Sequence, residues 1–392
     1  MTSMAFSTKK IEDFCRTGSG GTPSRSKPEY FDGGTIPWVK SGELKTRFVS
    51  STEESITDAA VEQSAAKLVP KGALLIAMYG ATVGEVSELA VDATTNQAIC
   101  HIVPDPNLCD RGYLYQYLTA IKPELLDRRV GGGQPNISQA IIKSLSVPLP
   151  PLPEQRRIAA ILDKADALRA KRREGIAKLD QLLQSVFLEM FGDPVTNPKG
   201  WPIGKISDLL ESAKYGSSEK ADLQGEVPIL RMNNITYSGE MNLTVLKYIS
   251  RDKAEEKYSV MPGDILFNRT NSKELVGKTA VYEGPTPMAY AGYLVRARTA
   301  DGHAPEYISA FMNSSYGKST LQAMCKSIVG MANINAREFQ AISIPIPPCE
   351  LQQSFRSHVR AIRVRKRALE LQSQKFDALF SSLQQRSFSA AN

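Results

Sequence analysis

Clusters of amide, hydroxyl and cationic side chains recur along the chain, each beside glycine or an apolar run. Asn and Gln can make two hydrogen bonds to adenine in the major groove, and Lys and Arg can do so to guanine. Ser, Thr and Tyr commonly bind phosphate oxygens. The clusters therefore have the chemistry needed to contact nucleic acid. The candidates are Lys40, Ser41, Tyr79, Thr82, Asn96, Gln97, Gln134 and Asn136 in the first half, and Tyr215, Ser217, Arg231, Asn233, Asn234, Asn268, Arg269, Thr270, Asn271, Lys273 and Asn333 in the second.

Each cluster taken alone is also what an ordinary turn contains. Gly, Asn and Ser favour turns through backbone freedom or local hydrogen bonds. The clusters, however, occupy equivalent places in the two halves of the chain. This repeated placement favours binding over turn formation alone.

The sequence lacks the patterns of common catalytic and metal sites. The segment 17–24 (TGSGGTPS) has no Lys-Ser/Thr of a P-loop, and neither G-x-S-x-G nor H-E-x-x-H occurs. The Asn/Asp-Pro-Pro-aromatic tetrapeptide of amino-methyltransferases is also missing. Three histidines and five scattered cysteines predict neither a metal site nor a disulfide framework. We expect no catalytic centre and no cofactor bound by this chain.

The positive charge is concentrated in two segments. The chain has 48 Lys and Arg against 41 Asp and Glu, a net charge of +7. Residues 154–180 contain eight cations and five carboxylates, and residues 350–378 contain seven and three, so these segments carry the whole excess. A solvated helix face would explain it, and so would a surface for an acidic partner such as nucleic acid.

The chain has no sequence signal for a membrane or for export. No apolar run approaches the ~20 residues of a membrane span. The N-terminus, MTSMAFSTKKIEDF, lacks the apolar core of a signal peptide. We therefore expect a cytoplasmic protein.

The elements that would position the candidate residues occur twice. The segment 145–151 (LSVPLPP) is matched 197 residues later by 342–348 (ISIPIPP). Apolar residues alternate in both copies, which predicts a half-buried strand, and the prolines place it at the edge or the end of a sheet. Asn136 and Asn333 keep the same offset. The chain is therefore a tandem repeat of two modules.

A long helix is expected after each copy of this segment. No proline occurs between Pro153 and Gly192, and Pro153 suits the first turn of a helix. Apolar spacings of three and four are typical of a coiled coil. The helices would pack on each other antiparallel, unless each packs on its own domain. The predicted seam is Ile176, Leu179, Leu183, Val186, Met190, Phe355, Val359, Ile362, Leu369, Phe376, Phe380 and Leu383.

The rest of each module has short apolar runs broken by Gly, Asn and Pro, and short helices are expected at 111–121 and 304–313. There is no regular βαβ alternation. We therefore expect an α+β fold in which two globular domains of mixed helix and strand are joined by two long helices. The predicted boundaries are 1–150 for the first domain, 151–193 for the first helical segment, 194–347 for the second domain and 348–392 for the second helical segment.

The order of several segments resembles the specificity (S) subunit of type I restriction-modification systems, and the resemblance covers nearly the whole chain. The helix entry and the linker after the first helix are its most specific parts. The segments are GGTPS (20–24), GGTIPWVKSGEL (33–44), GATVGEV (80–86), GGGQPNIS (131–138), PLPPLPEQRRIAAILDKAD (148–166), FGDPVTNPKGWP (191–202) and FNRTNSKELVGK (267–278).

The resemblance implies a DNA-binding subunit without catalytic activity, part of a system of phage defence. The domains 1–150 and 194–347 would be target-recognition domains, each for one half of a bipartite DNA sequence. The two helices would form an antiparallel coiled coil that sets the gap between the half-sites. The subunit would hold two modification subunits, which methylate adenine in DNA with S-adenosylmethionine. Through them it would recruit restriction subunits that use ATP and Mg.

One departure from the family pattern lies at the second hinge, which has CELQQ where the first has PEQRR. It leaves the start of the second helix and its partner contacts open. Two other hypotheses remain: a stand-alone DNA enzyme of the same system, and a coiled-coil scaffold with no DNA role. The missing catalytic motifs disfavour the enzyme, and the repeated polar loops disfavour the scaffold.

Overall fold

The computed structural model describes residues 6–127, 136–254, 256–328 and 331–389. The chain divides into two compact units. Unit 1 comprises Met1–Arg172 and Gln372–Asn392, and unit 2 comprises Arg173–Leu371. Two long helices each contribute one part to each unit, so the predicted tandem α+β repeat with two long helices is confirmed. Within the described ranges, no helix is both long and apolar enough to cross a membrane.

Unit 1 is built around a five-stranded sheet of order β2-β9-β6-β7-β4, a three-stranded sheet β5-β3-β8 and the pair β1-β10. Its strands are β1 Thr8–Lys10, β2 Cys15–Ser19, β3 Ile36–Val39, β4 Phe48–Val49, β5 Ser55–Ile56, β6 Leu74–Ala77, β7 Val86–Leu89, β8 Thr94–Thr95, β9 Ile99–Pro104 and β10 Ser146–Pro148. Its helices are α1 Ile11–Phe14, α2 Asp58–Gln63, α3 Arg111–Ala120, α4 Lys122–Asp127, α5 Gln139–Lys143 and the first part of α6 Leu152–Phe191.

Unit 2 repeats this plan with two four-stranded sheets, β12-β20-β16-β18 and β14-β13-β19-β15, a three-stranded sheet β17-β22-β21 and the pair β11-β23. Its strands are β11 Ile203–Lys205, β12 Leu210–Tyr215, β13 Val227–Leu230, β14 Lys247–Ile249, β15 Ser259–Val260, β16 Ile265–Asn268, β17 Thr270–Asn271, β18 Thr279–Val281, β19 Met288–Tyr290, β20 Leu294–Thr299, β21 Lys326–Ile328, β22 Met331–Asn333 and β23 Ser343–Pro345. Its helices are α7 Pro305–Asn313, α8 Ser315–Met324, α9 Ala336–Gln340 and the first part of α10 Cys349–Ser389.

The proline segments form the last strand of each domain. In unit 1 β10 pairs antiparallel with β1, and in unit 2 β23 pairs antiparallel with β11. Each strand stops at a proline because proline has no N–H to donate to a ladder. The short helices expected at 111–121 and 304–313 are α3 and α7.

Each main core joins the large sheet, the last strand and the first turns of a long helix. In unit 1 it includes Leu74 of β6, Val147 of β10 and Leu162 of α6. In unit 2 it includes Ile265 of β16 and Ile344 of β23, among others. Full burial of such a side chain contributes about 1.5–3 kcal/mol. The start of each long helix is therefore part of the domain core that precedes it.

A buried glutamine fastens the first long helix to its domain. Gln155, in the first turn of α6, is only 1% exposed. Its Nε2 donates to Pro150 O at 2.8 Å and to Leu108 O at 3.0 Å, and its Oε1 accepts from Asp110 N at 2.7 Å. The side chain thus satisfies backbone groups of both the hinge and the domain, which burial would otherwise leave without partners.

The second long helix is fastened in the same way. Gln352 is fully buried; its Nε2 donates to Pro347 O at 2.8 Å, and its Oε1 accepts from Ala304 N at 3.2 Å. The helices begin at Leu152 and Cys349, 197 residues apart. The departure in the second hinge therefore leaves the start of the helix unchanged, because the glutamine keeps its place.

A buried tyrosine completes each attachment. The hydroxyl of Tyr113 donates to Pro148 O at 2.7 Å, and that of Tyr307 donates to Pro345 O at 2.6 Å. We call each set of glutamine, tyrosine and hinge prolines a joint. In each joint the acceptors are proline carbonyl oxygens. The donors to them are the glutamine amide and the tyrosine hydroxyl, so side chains satisfy these buried backbone groups.

Ion pairs beside the two joints have opposite polarity. In unit 1 Asp163 of α6 pairs with Arg47 of the domain at 2.6 Å. The residue 197 positions later is Arg360, and both it and Arg356 face Glu306 of the second domain, at 3.6 and 3.3 Å. Glu306 is 2% exposed. A domain placed on the other helix would therefore meet like charges, so each domain is matched to its own helix.

In unit 1 the parts of α6 and α10 run antiparallel. Arg169 Nε lies 2.6 Å from Asp377 Oδ1, and the Arg169 guanidinium lies 4.2 Å from the centre of the Phe380 ring. One turn further along α6, Arg172 covers the ring of Phe376 at 3.7 Å. Phe380 is buried, whereas Phe376 keeps 37% of its surface exposed. Arginines thus supply much of this contact, and the predicted seam residue Leu383 packs against the core.

In unit 2 the parts of the helices are also antiparallel, with a more apolar contact. Phe187 and Phe191 of α6 lie 5.8 and 5.2 Å from Phe355 of α10, measured between ring centres. These two phenylalanines were absent from the predicted seam, and they are buried more deeply than the neighbouring seam residues of α6. Of the predicted seam residues in this unit, Leu183, Val186 and Met190 pack at the border of the core, Phe355 and Val359 are buried, and Ile176, Leu179, Ile362 and Leu369 are half-buried.

Lys366 of α10 is a cation among the apolar residues of this helix contact, and ion pairs accommodate its charge. Lys366 is 5% exposed, and its Nζ lies 2.6 Å from Asp180 Oδ1 and 2.9 Å from Glu240 Oε2. These partners and their hydrogen bonds raise the pKa of Lys366 although its burial opposes this. The charge therefore remains on the lysine and ties α10 both to α6 and to the second domain.

Removing the amide of a joint should destabilise the chain. Gln155→Leu or Gln352→Leu leaves a proline carbonyl and a backbone N–H buried without partners, which costs about 1–3 kcal/mol. Chemical denaturation of the full chain measures this loss. Gln184→Leu, an exposed change on α6, is the matched control and should stay within about 0.5 kcal/mol of the parent. Equal stability of the joint variants and the control would contradict the role of the joints.

Candidate nucleic-acid interface

The same loops meet at one end of the large sheet in each unit, and five backbone hydrogen bonds establish which residues are equivalent. In unit 1 they are Gly20 N to Ile99 O, Gly21 N to Thr95 O, Asn96 N to Val39 O, Met78 N to Ala98 O and Ile137 N to Met78 O. In unit 2 they are Gly216 N to Leu294 O, Ser217 N to Tyr290 O, Ala291 N to Leu230 O, Arg269 N to Tyr293 O and Ile334 N to Arg269 O.

We call this end of each unit the tip. The tip of unit 1 comprises Ser19, Lys40, Met78, Ala98 and Asn136. The tip of unit 2 comprises the equivalent residues Tyr215, Arg231, Arg269, Tyr293 and Asn333. The backbone is thus shared, but every position except the last carries a different side chain.

Aromatic and cationic groups dominate the tip of unit 2. The Arg269 guanidinium lies 4.9 Å from the centre of the Tyr215 ring, and its Nη1 donates to Gly292 O at 3.4 Å. Tyr215 is 44% exposed and Tyr293 is 54% exposed. Stacking on a ring holds a guanidinium in one plane and leaves its edge free for hydrogen bonds. This arrangement can donate to a base edge or to a phosphate.

Two arginines of this tip have a buried Nε without a hydrogen-bond partner among the described residues: Arg231 and Arg269. Arg47, Arg356 and Arg363 share this feature, but each of them pairs with a carboxylate of the chain. In the part of the chain that the structure describes, Arg231 and Arg269 have no such carboxylate, so their charge is available to a ligand. The two arginines come from adjacent loops, since the residue before Arg231 accepts the hydrogen bond of Ala291 N.

The tip of unit 1 has little free positive charge. Met78 and Ala98 are buried, and Lys40 Nζ lies 2.7 Å from Glu53 and 3.0 Å from Glu54. Hydrogen bonds from Arg25 and Lys40 lower the pKa of Glu54 to about 2, so this carboxylate stays charged and offsets the lysine. The exposed polar groups here are the hydroxyl of Ser19 and the amides of Gln97 and Asn136.

Four of the sequence candidates are buried and serve the fold. Asn234 Oδ1 accepts from Arg231 N, and its Nδ2 donates to Asn242 O and Val245 O. The other three are Ser217, Asn268 and Thr270. Ser217 Oγ accepts from Glu219 N, Thr270 Oγ1 donates to Asn333 Oδ1, and Asn268 Nδ2 donates to Leu275 O. Because these bonds lie within turns and strands, turn chemistry explains the four residues better than base contact, although Asn268 Oδ1 has no partner among the described residues.

The remaining candidates are at least partly accessible. Gln97, Asn136, Tyr215, Asn233 and Lys273 are exposed, and Lys40, Ser41, Tyr79, Thr82, Asn96, Arg231, Arg269, Asn271 and Asn333 are half-buried. Thr82 Oγ1 donates to Ser41 O at 2.8 Å, so these two lie together. Partial burial raises the pKa of Tyr79, which keeps its hydroxyl protonated as a donor. Gln134 lies outside the described residues.

Sequence reasoning missed Tyr293, which belongs to this surface. It directly precedes the apolar start of β20, Leu294–Thr299, and its place in the tip became evident only from the hydrogen bond that Arg269 N donates to its carbonyl oxygen. The glycine before it is a signal that could have identified it, since Gly292 lies at the turn between β19 and β20. A large aromatic residue beside such a turn is a frequent contact for ligands.

No group of three or more His, Cys, Asp or Glu that could hold a metal ion occurs among the described residues. All five cysteines are free. Burial raises the pKa of Cys15 and of Cys100 to about 12, so these thiols stay protonated and are poor nucleophiles.

Comparison with known proteins identifies related sequences. A family model described as the type I restriction modification DNA specificity domain matches residues 5–178 and 198–361. The chain is similar to the type I restriction enzyme MjaIX specificity subunit of Methanocaldococcus jannaschii, with 27% identity over 253 residues, 58% of this chain and 57% of the relative. It is 32% identical over 184 residues to the EcoR124I/EcoR124II specificity subunit of Escherichia coli, 46% of this chain and 45% of the relative.

These matches span about half the length of the curated relatives. The fold as a whole is similar to a chain in a solved structure of the type I R-M system, one that concerns complex assembly and conformational transition. The TM-score is 0.62 at 16% identity, and the similarity covers 98% of this chain and 97% of that chain.

Changing Arg269 should alter base preference in one block of a bound DNA sequence. Selection of binding sites from randomised duplexes compares the parent with Arg269→Ala. A guanidinium that contacts a base edge contributes about 1–3 kcal/mol of discrimination, so preference should relax at its position alone. The equivalent change in unit 1, Met78→Ala, is the control and should leave that block unchanged. Equal weakening on every duplex would identify a phosphate contact instead.

Proposed function

Because the chain belongs to the family of type I restriction-modification DNA specificity proteins, we propose that it is the DNA-recognition subunit of such a complex. Each unit contacts one half of a bipartite target through its tip. The family model matches once in each repeat, so the number of recognition surfaces equals the number of half-sites.

The observation that carries this proposal is the pair of tips. The two share a backbone and its hydrogen bonds but present different chemistry. A duplication kept for stability alone would not require this difference at the exposed end of the sheet. Arginines and tyrosines in unit 2, and amides in unit 1, suit two different base sequences. We therefore expect the half-sites to be unlike each other, and the target to be asymmetric.

The long helices set the gap between the half-sites in this proposal. An α-helix of 40 residues, the length of α6, is about 60 Å long. This length is an upper limit for the gap, and a DNA turn is about 34 Å. Half-sites about one turn apart would lie on one face of the duplex, so both tips could bind it at once.

In this proposal the subunit catalyses no reaction, and its partner subunits carry out the catalysis. Modification subunits would methylate adenine with S-adenosylmethionine, and restriction subunits would use ATP and Mg. Support comes from the family assignment and from the lack of known catalytic motifs in the sequence. With DNA and these subunits as its partners, we expect the chain to act in the cytoplasm.

Apolar residues on the long helices suit the binding of partner helices. Ile161 and Leu168 of α6 are 41% and 48% exposed, and Val364 and Leu371 of α10 are 67% and 55% exposed. Each pair is seven residues apart, so its members share one side of the helix. We assign these two stripes to the modification subunits, because an exposed heptad stripe is what a helix of a bundle offers to another helix.

Sequencing of modified bases in the host tests the proposal. Disruption of this gene should remove methylated adenine from one asymmetric, two-part motif, and the intact gene should restore it. Methyl transfer by the purified chain with S-adenosylmethionine alone would favour a stand-alone enzyme. An unchanged pattern of methylation, together with no sequence preference in DNA binding, would favour a scaffold without a DNA role.

A further inference from the structure

We propose that unit 2 carries a pocket for a DNA backbone phosphate, formed by Lys214, Arg296 and Arg298 on one face of β12 and β20. The inference rests on the proposed DNA-binding function and adds to it the place where the second half-site is held. The pocket lies on a different face from the tip residues and contains none of the sequence candidates.

The strand register brings the three cations together. Lys214 of β12 lies opposite Arg296 of β20, and Arg298 lies two residues further along β20. Side chains two residues apart on a strand share a face. They line a cavity of about 370 Å³, whose lining residues are Lys214, Glu256, Lys257, Ser259, Met261, Arg296 and Arg298.

Arg296 is built into the floor of this pocket. It is 3% exposed, and its guanidinium lies 5.5 Å from the centre of the Tyr290 ring. Its Nη1 donates to Ser259 O. Its Nε is buried without a hydrogen-bond partner among the described residues and lies 3.9 Å from Asp264 Oδ2, which is too far for a hydrogen bond. A buried cation with an unused donor is prepared for an anionic ligand.

Arg298 is held in place at the rim. Its Nε and Nη2 donate to Asp264 Oδ1 and Oδ2 at 2.8 and 3.3 Å. Asp264 also accepts from Met261 N at 2.9 Å, which fixes the carboxylate. Three carboxylates, Asp264, Glu256 and Glu211, lie near the proposed cations Lys214, Arg296 and Arg298. Asp264 is engaged by Arg298 and by Met261 N, so the Lys214 ammonium and the Arg296 Nε are the groups left for an anionic ligand.

The equivalent face of unit 1 has a different character. In its register Gly18 lies opposite His101, where unit 2 has Lys214 opposite Arg296, and Val103 takes the place of Arg298. The imidazole fills the space above the glycine, since a Cβ on Gly18 would lie 2.6 Å from it. Burial, with a smaller effect of Lys67, lowers the pKa of His101. Arg16, opposite Val103, and Lys67 are exposed cations near this face.

The position of the pocket suits the backbone of a duplex whose bases meet the tip. Lys214 and Tyr215 are neighbours at the end of β12, so their side chains point to opposite faces of the sheet at the same height. A duplex that reaches Tyr215 and Arg269 brings a phosphate within range of Lys214. Phosphate contacts of this kind position a protein on DNA without recognising sequence. DNA binding by the second unit would thus depend more strongly on salt concentration than DNA binding by the first.

The salt dependence of DNA binding tests this pocket. Fluorescence anisotropy measures the affinity of the full chain for a duplex that contains the target and for one of equal length that does not. Lys214→Gln should lower the slope of log K against log salt by about 0.9, the contribution of one phosphate. Lys214→Glu should lower it further. Both substitutions should lower the affinity for the two duplexes by the same factor.

Lys199→Gln, at an exposed lysine of unit 2 outside the pocket, is the matched control and should leave the slope unchanged. An unchanged slope in Lys214→Gln, or a loss confined to the target duplex, would overturn the proposal. A pocket for free phosphate ion would leave both slopes unchanged and would show phosphate-dependent stabilisation lost in Lys214→Gln, which would also overturn it. If the parent chain shows no sequence preference, the proposed function fails. The duplex without the target still measures the salt slope in that case, so failure of the pocket can be distinguished from failure of the proposed function.

Discussion

The architecture depends on one buried amide at the start of each long helix. Every domain ends in a strand that proline terminates, and the carbonyl oxygens of those prolines are enclosed by the core. Gln155 and Gln352 supply the missing donors and at the same time accept from a backbone N–H of the domain. The hinge, the domain and the helix are therefore fixed together, and each helix begins at the same place in its repeat.

Differences between the repeats include the ion pairs between each domain and its helix and the side chains of the tips. The joints are nearly identical, but Asp163 in one repeat corresponds to Arg360 in the other, and Met78 corresponds to Arg269. The first difference matches each domain to its own helix. The second gives the tips different donors. A shared frame with different tips lets one chain carry two unlike surfaces.

Much of the frame was predictable from sequence, because its signals are periodic. The alternation in 145–149 and 342–346 predicted the last strands, and the offset of 197 residues predicted two modules. Gln155 and Gln352 were not recognised, since a single polar residue in a polar helix turn has no pattern of its own. Phe187 and Phe191 were missed for another reason: the heptad rule describes helix pairs, and these residues also face a domain.

Asn234 and Asn268 show why the site was harder to predict, because the amides that suit adenine also suit a turn. Loop insertions change the number of residues between equivalent positions of the two repeats. The equivalence of Met78 and Arg269 could therefore be found only from the backbone hydrogen bonds.

In the proposed function the two tips act independently, and the helices set the distance between their targets. Insertion of seven residues into α6 near residue 172 and into α10 near residue 372 lengthens each helix by about 10 Å, or about three base pairs. The methylated motif in cells that carry this variant is the measurement. We predict that both half-sites keep their sequences and that the gap between them lengthens. An unchanged gap, or a changed half-site, would contradict the account.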